Sequence, residues 1–429
     1  MKFRNIIGIM SVVLIILSCS SASIPKKDRE MLETESFFVL DEAIQNSDYF
    51  VRSKAISAMR DIADPSFVPG LIDALYDPDD IVVMKAARAL GTIGDTTAIP
   101  DLEFTLAVDP NFTAQKASAV ALYRLGRKEE ALEFIKKGLA DKSGYNRDMM
   151  LNELTFARSD DFIPMYIDML KDSVGSVRDD AIHAISLRKA KQAIPHLMEA
   201  LTDSFLVIRA HAIVAISKIG DEAQLREALD ITQQEIDKIE NGDLENVISF
   251  NEYQLDAYKL LIASTLLVEL EDTTYIDYLY DVPIDLTNPA SMAATIFLAN
   301  WGDENAIQKL DEFLDYWEVD VRNSIIELVS EIDEDWACQL ILRATEDPDD
   351  EVRETAAQYL QFYDKKEVKE TLTNMLNDPY PYIKIEAALS LNELGDKKGV
   401  YALQPLLLDE DWYVKINAAK AILLILQNR

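Results

Sequence analysis

Metal ligation and nucleophilic chemistry in this 429-residue chain rest on few side chains: three histidines, His183, His196 and His211, and two cysteines, Cys19 and Cys338. No histidine belongs to an H-E-x-x-H spacing or stands directly before a glutamate, so the usual helical metal pairs are missing. His183 and His211 lie near Asp179 and Asp180, which reads either as a weak metal or proton-sensitive site or as two solvated surface histidines. The sequence has no glycine-rich phosphate loop, G-x-S-x-G elbow or C-x-x-C pair. Cys338, in DEDWACQLIL, falls on an apolar helical pattern and reads as a buried small hydrophobe. The expectation is a non-enzymatic chain with no catalytic residue, cofactor or metal, acting through its surfaces.

Two groups of residues suit binding. Lys54, Arg60, Lys85, Arg88, Lys116 and Arg124, with Arg52, crowd segments 51–63, 82–93 and 114–126, opposed there by Asp61 alone. Segments 321–333, 352–363 and 383–394 instead carry Glu327, Glu331, Asp333, Glu354, Glu386 and Glu393 against Arg322, Arg353 and Lys384. A face shared by these segments would run from basic to acidic, matching a protein partner of segregated charge or an anionic ligand at the basic end. The alternative is that the cations offset acids on neighbouring helices. The second group is apolar: Leu261, Ile262, Met292 and Ile296 stand where equivalent segments are polar. They form either an open partner-binding patch or a surface covered by the segment 222–250. Tyr316 and Trp317 are among the aromatic residues that follow.

These residues are positioned by repetition. AARALGTIGD, at 86–95, recurs as HAIVAISKIGD, TIFLANWGD and EAALSLNELGD. With the aliphatic member of the V-R pair as origin, repeats begin at Val51, Val82, Ala114, Asn146, Val177, Ile208, Lys259, Ala290, Val321, Val352, Ile383 and Val414. The steps are 31 or 32 residues, except one of 51 between Ile208 and Lys259 that contains the 222–250 insertion. Apolar residues after each origin keep helical spacing, with alanine where a neighbour must approach closely. An aspartate stands five residues before the origin in nine repeats, among them Asp109, Asp172, Asp203, Asp347 and Asp378. There it can accept from free backbone N–H groups in the turn and face an arginine one place past the origin. Pro69, Pro100, Pro164 and Pro195 suit the first turn of the other helix of the pair. Such a pair cannot bury its own apolar face, so neighbours must stack. The expected fold is all-α, a right-handed α-solenoid of about twelve two-helix repeats with a 31-residue period.

The pattern D-x4-V-R-x2-A-A-x-A-L-x2-I-G-D-x3-A-I-P resembles the HEAT-like repeats named after the phycobilisome lyases, over residues 37–429. The resemblance implies that second helices line a concave groove. It also implies work as an adaptor, a transport receptor, an assembly factor or, in a few cases, an enzyme. The missing histidine–glutamate pairs argue against a metal hydroxylase built on such repeats. Stacked at about 8–10 Å, twelve repeats make a curved rod on the order of 100 Å long.

Lys2, Arg4 and the apolar run Ile6–Leu17 have the form of an export signal, too short to span a bilayer. The run ends Leu17-Ser18-Cys19, which resembles a bacterial lipobox and implies acylation of Cys19; an ordinary signal cleaved after Ala22 is the alternative. The expected organisation is a signal at 1–18, a lipidated flexible tether at 19–36 and the repeats at 37–429. By the same analogy, Ser20 points to the outer membrane of a Gram-negative-type cell. With 42 basic and 76 acidic residues the net charge is −34, which disfavours nucleic acid and anionic lipid as partners and leaves the lipid anchor as the sole link to the membrane. The expected function is a membrane-anchored scaffold for a protein partner, its basic end near the membrane and its acidic end projecting away. A structural or self-associating envelope lipoprotein and a lyase-type enzyme are the alternatives.

Overall fold

The computed structural model describes residues 24–241, 259, 279–280 and 289–427. The described residues are helical with no strand, and they divide into two compact units. Unit 1 holds the chain up to Gly70 together with Asp311–Arg429; unit 2 is Leu71–Leu310.

Repeat 2 illustrates why each repeat becomes a helix pair. Its second helix, Asp80–Ile93, starts where the Asp79 side chain accepts from the backbone N–H groups of Ile81 and Val82. It stops at Gly94, whose φ of 84° is open to glycine at no steric cost. Val82, Val83, Ala86, Ala87, Ala89 and Leu90 are buried along one side. Gly91 is needed for a different reason: a Cβ there would lie 2.8 Å from Ala121 Cα on the second helix of repeat 3, Phe112–Arg124. The first helices Ile99–Val108, Ile163–Met169 and Ile194–Ala200 each carry proline in the first turn, as the sequence predicts.

The turn aspartates do meet arginines, but across repeats. In unit 2, Arg147 of repeat 4 donates through Nε and NH2 to both oxygens of Asp172 in repeat 5, at 2.6 Å each. Arg178 of repeat 5 treats Asp203 of repeat 6 the same way, at 2.6 and 2.7 Å. In unit 1, Arg322 grips Asp347 and Arg353 grips Asp378. The third donor, NH1, turns back to the carbonyl of the arginine's own turn: Asp141 for Arg147, Asp172 for Arg178, Tyr316 for Arg322 and Asp347 for Arg353. One side chain thus ties two successive turns together. Each aspartate also accepts from the backbone two residues on, as Asp203 does from Phe205 at 2.9 Å.

At the insertion the pattern adapts. Glu222–Glu240 forms one long helix, opened by a capping box between Asp221 and Gln224. Its Glu235 meets the fully buried Arg209 of repeat 6 at 3.2 Å, where other repeats use a turn aspartate. The expected cover by the rest of 222–250 falls outside the described residues.

Two expectations about the chain ends are corrected. Residues read as part of a flexible tether are helical from Lys26: Lys26–Ala43 is one helix, with Leu32, Val39, Leu40 and Ala43 buried. It and the second helix of repeat 1, Tyr49–Ile62, pack on the last helix of the chain, Trp412–Gln427. Tyr401 donates to Asp28 at 3.2 Å, Gln404 to Glu35 at 3.1 Å and Lys420 to Asp61 at 2.6 Å. The ends that the expected rod would hold far apart are therefore in contact within unit 1. The cause is the last helix, whose Ile416, Ile422, Leu423, Ile425 and Leu426 are all buried. The helix Lys26–Ala43 and the second helix of repeat 1 cover it.

The bridging ladder predicts unequal costs for the same substitution. Asp203→Ala leaves the buried guanidinium of Arg178 uncompensated and should cost about 3–5 kcal/mol. Asp109→Ala removes only a turn cap onto Asn111 N, because repeat 2 has Val83 where others have arginine, and should cost about 1 kcal/mol. Urea unfolding with hydrogen exchange across repeats 5 and 6 checks this; equal costs would remove the ladder's bridging role.

Candidate partner-binding surfaces

The predicted basic stripe is partly internal: Lys116 is buried, Lys54, Arg60, Lys85 and Arg88 are half-buried, and Arg124 is exposed. Glu153, on the second helix of repeat 4, Gly144–Ala157, is fully buried. Arg88 of repeat 2 donates to its two oxygens at 2.8 and 2.6 Å, and its guanidinium lies 4.0 Å over the Phe156 ring. Lys116 of repeat 3 sits 3.6 Å from Glu153 and donates to the Met149 carbonyl at 3.0 Å. Burial pulls the Lys116 pKa down, and the carboxylate of Glu153 opposes that pull. Arg124 donates to Thr92 Oγ1 and the Phe156 carbonyl, both at 3.2 Å. Lys85 is also engaged. In unit 1, Arg60 is bound to Asp61 at 2.8 Å, and Lys54, half-buried, makes no ion pair among the described residues. Arg60, Arg88 and Lys116 of the stripe are therefore counter-charges to acids, whereas Lys54 and Arg124 meet no acid among the described residues. The signal was present in Glu153 itself: the equivalent residues of repeats 2, 3, 5 and 6 are Ala89, Ala121, Ala184 and Ala215, core positions where an acid needs cations around it. Glu153→Gln should strand Arg88 and Lys116 and cost about 3–5 kcal/mol, read as a lowered Tm. A change under about 1 kcal/mol would return Arg88 and Lys116 to the surface.

Further along unit 2 the second-helix side turns acidic. Asn152 donates to Asp180 Oδ2 at 2.6 Å, and Asp148 lies beside the same carboxyl. Burial, then the Asp148 contact, pushes Asp180 up to about 7. His211 Nδ1 meets Asp179 Oδ1 at 2.5 Å, which raises the histidine's pKa. His183 is exposed. Among the described residues no three His, Cys, Asp or Glu side chains are arranged to hold a metal ion. Asp180 has a folded pKa above its unfolded value, so its ionisation opposes folding and stability is gained as pH falls through about 7. His211, raised by Asp179, contributes stability that is lost as pH rises through its folded pKa, the same direction. Tm should therefore rise between pH 8 and pH 5.5, and Asp180→Asn should flatten that rise. An unchanged slope in the variant would reject the assignment.

Of the two readings of the apolar group, an open patch does not hold for the residues described. Met292 and Ile296 are 5% and 8% exposed, so they belong to the packing of the helix Pro289–Asn300. Leu261 and Ile262 lie outside the described residues.

The acidic segments behave differently from the basic ones. In unit 1, Arg322 and Arg353 are committed to the turn ladder, so they do not offset the glutamates of their own helices. Glu327, Glu331, Glu354 and Glu393 form no ion pair among the described residues. Burial, with Glu386 as the nearest like charge, pushes Glu354 up to about 7. Burial raises Glu386 as well, opposed by Lys420. Leu328 is 45% exposed on its second helix, and Phe362 is 60% exposed in the turn that follows the next one. Tyr359 stands 6.2 Å from the Phe362 ring, its phenol against Glu327. The result is an acidic side, set with apolar groups, of the helices Val319–Val329, Asp350–Tyr359 and Pro381–Glu393.

The family model described as HEAT repeats matches residues 38–123, 68–154, 163–240 and 337–423, well over half of the chain. Among solved structures, the complex of CpcE and CpcF of phycocyanin lyase from a Nostoc species is 20% identical, covering 58% of this chain and 98% of that chain at a TM-score of 0.31. A structure of Kap95p bound to RanGDP is 13% identical, covering 90% and 60% at 0.39. Human deoxyhypusine hydroxylase is 14% identical, covering 85% and 98% at 0.27. These likenesses concern the fold and carry no argument about activity. No curated protein matches the chain at significant similarity.

Proposed function

The chain belongs to the HEAT-repeat family, whose stacked helix pairs typically serve protein interaction, and from that premise we propose a non-enzymatic scaffold that holds a positively charged protein partner on the acidic second-helix side of unit 1. The observation that carries this reading is the set Glu327, Glu331 and Glu354, which form no ion pair among the described residues and stand on the same helices as, or next to, exposed Leu328 and Phe362. Carboxylates held without counter-charges gain from a cationic partner, and the apolar groups supply contact area that survives salt. This reverses the sign of the partner-binding end expected from the basic stripe. A net charge of −34 points the same way and disfavours nucleic acid.

The scaffold is lipid-anchored at Cys19 and exported, on the outer membrane of a Gram-negative-type cell. Support comes from Lys2, Arg4, the apolar run to Leu17 and Ser18-Cys19. The seven residue steps from Cys19 to Lys26 can span at most about 25 Å in any conformation.

One experiment tests both parts. A benzophenone amino acid placed at Phe362 in the full chain, in intact cells fed a fatty-acid analogue, should yield one crosslinked partner and an acylated product. The triple variant E327K/E331K/E354K should lose the partner, and Cys19→Ser should lose the label. Crosslinks to a second copy of this chain would favour the self-associating envelope protein instead, and a label retained in Cys19→Ser would remove the anchor.

A further inference from the structure

Repeat 9 departs from its neighbours at the turn before its second helix. Where repeats 2, 3, 10 and 11 have Asp77-Pro78, Asp109-Pro110, Asp347-Pro348 and Asp378-Pro379, it has Tyr316-Trp317. One place past the origin of the preceding repeat stands Ser291 and not arginine. Arg322 still donates to the Tyr316 carbonyl at 2.6 Å, so the backbone of the turn is held as in other repeats while its side chains are free to differ.

Those side chains form an aromatic series. Phe313 and Tyr316 have ring centroids 5.4 Å apart, and Tyr316 and Trp317 5.8 Å. Trp317 is 75% exposed. It lines a cavity of about 640 Å³ that also involves Arg322, Arg343, Glu346, Pro348 and Asp349. A cavity of this size takes a short stretch of chain, not a lone methyl group or water.

The charges of the cavity wall decide what fits. Both arginines are already committed, Arg322 to Asp347 and Arg343 to Asp311 and Asp315 at 3.0 and 2.7 Å. Asp349 accepts from Glu351 N at 2.9 Å but meets no cation, and the exposed Glu346 forms no ion pair among the described residues. An open indole face beside carboxylates without counter-charges is complementary to a cation. Tyr316 and Trp317 are inclined at 40°, so they present one open face and not an enclosing cage. That favours a planar guanidinium over a quaternary ammonium.

We infer that this turn cleft between repeats 9 and 10 seats an arginine side chain of the partner, its guanidinium stacked on Trp317 and paired with Glu346. The assignment rests on the reading of the partner as a positively charged protein and adds a second, chemically specific contact to it. The second-helix side contributes field and apolar area; the cleft selects arginine over lysine.

The test uses the full chain labelled with 5-fluorotryptophan, whose four tryptophans give four fluorine resonances. Trp317→Leu identifies the Trp317 signal, and unchanged signals from the other three show that this exposed substitution leaves the fold intact. Titration with a tetra-arginine peptide should shift the Trp317 resonance in a saturable way. Glu346→Gln should weaken the apparent affinity about two- to five-fold, and tetra-lysine should bind more weakly than tetra-arginine by a similar factor. A Trp317 resonance that does not move, or moves equally with both peptides and in Glu346→Gln, overturns the inference. The two readings separate cleanly. A Trp317 shift that persists in E327K/E331K/E354K, with no partner crosslinked at Phe362, would sink the acidic-face scaffold and leave the arginine cleft standing. A partner captured as well by Trp317→Leu as by the native chain would do the reverse.

Discussion

The guanidinium one place past the repeat origin, as at Arg147, Arg178, Arg322 and Arg353, is the interaction on which the stack depends where it occurs. Its NH1 fixes the carbonyl of its own turn, and its other two nitrogens fix the aspartate of the next. Packing alone would leave neighbouring helix pairs free to slide along their alanine-rich faces. A bidentate bond to a nearly buried carboxylate permits one register. The ladder has two departures. Where repeat 6 is followed by the long insertion helix, Glu235 replaces the missing aspartate; where repeat 8 has Ser291 and not arginine, the next turn carries Tyr316 and Trp317.

This arrangement also sets the character of the surface. Arginines are drawn to the turns, and Arg88 and Lys116 are drawn to the buried Glu153. Cations are the scarcer charge in this chain, so each one held internally leaves an acid outside without a counterpart. The glutamates of unit 1 are the clearest result, with Glu354 lifted to about 7 by burial first and by the neighbouring carboxylates Glu386, Glu351 and Asp350 second. Structural and binding electrostatics are thus one system: satisfying the turns creates the acidic side.

The repeat period, the helix pairs, the first-turn prolines and the identity of the arginine and aspartate partners were legible in the sequence, because each follows from local spacing. The reach of the arginine to the next repeat was not, since the same two residue types also occur within one repeat. Glu153 was a readable sign that went unread: one acid in a row of alanines. Contact between the first and last helices was out of reach of any local pattern. Its only trace is the largely apolar helix Trp412–Gln427. The acidic segments were read correctly as charge but given the wrong importance relative to the basic ones, because counting charges on a helix does not say which are already paired.

Most contacts in a stack of repeats join residues about one repeat apart, and such contacts can form in order as the chain grows. The bonds of Tyr401 to Asp28 and Gln404 to Glu35 are different, spanning 373 and 369 residues. The helix Lys26–Ala43 emerges early during synthesis or export, yet the surface that buries its Leu32 and Leu40 is the last to appear. Loop-closure entropy grows slowly with length, so the delay costs little free energy; it costs time. Throughout that interval the first helix pair lacks this cover, so completion of unit 1 waits until residues 401–427 have been made.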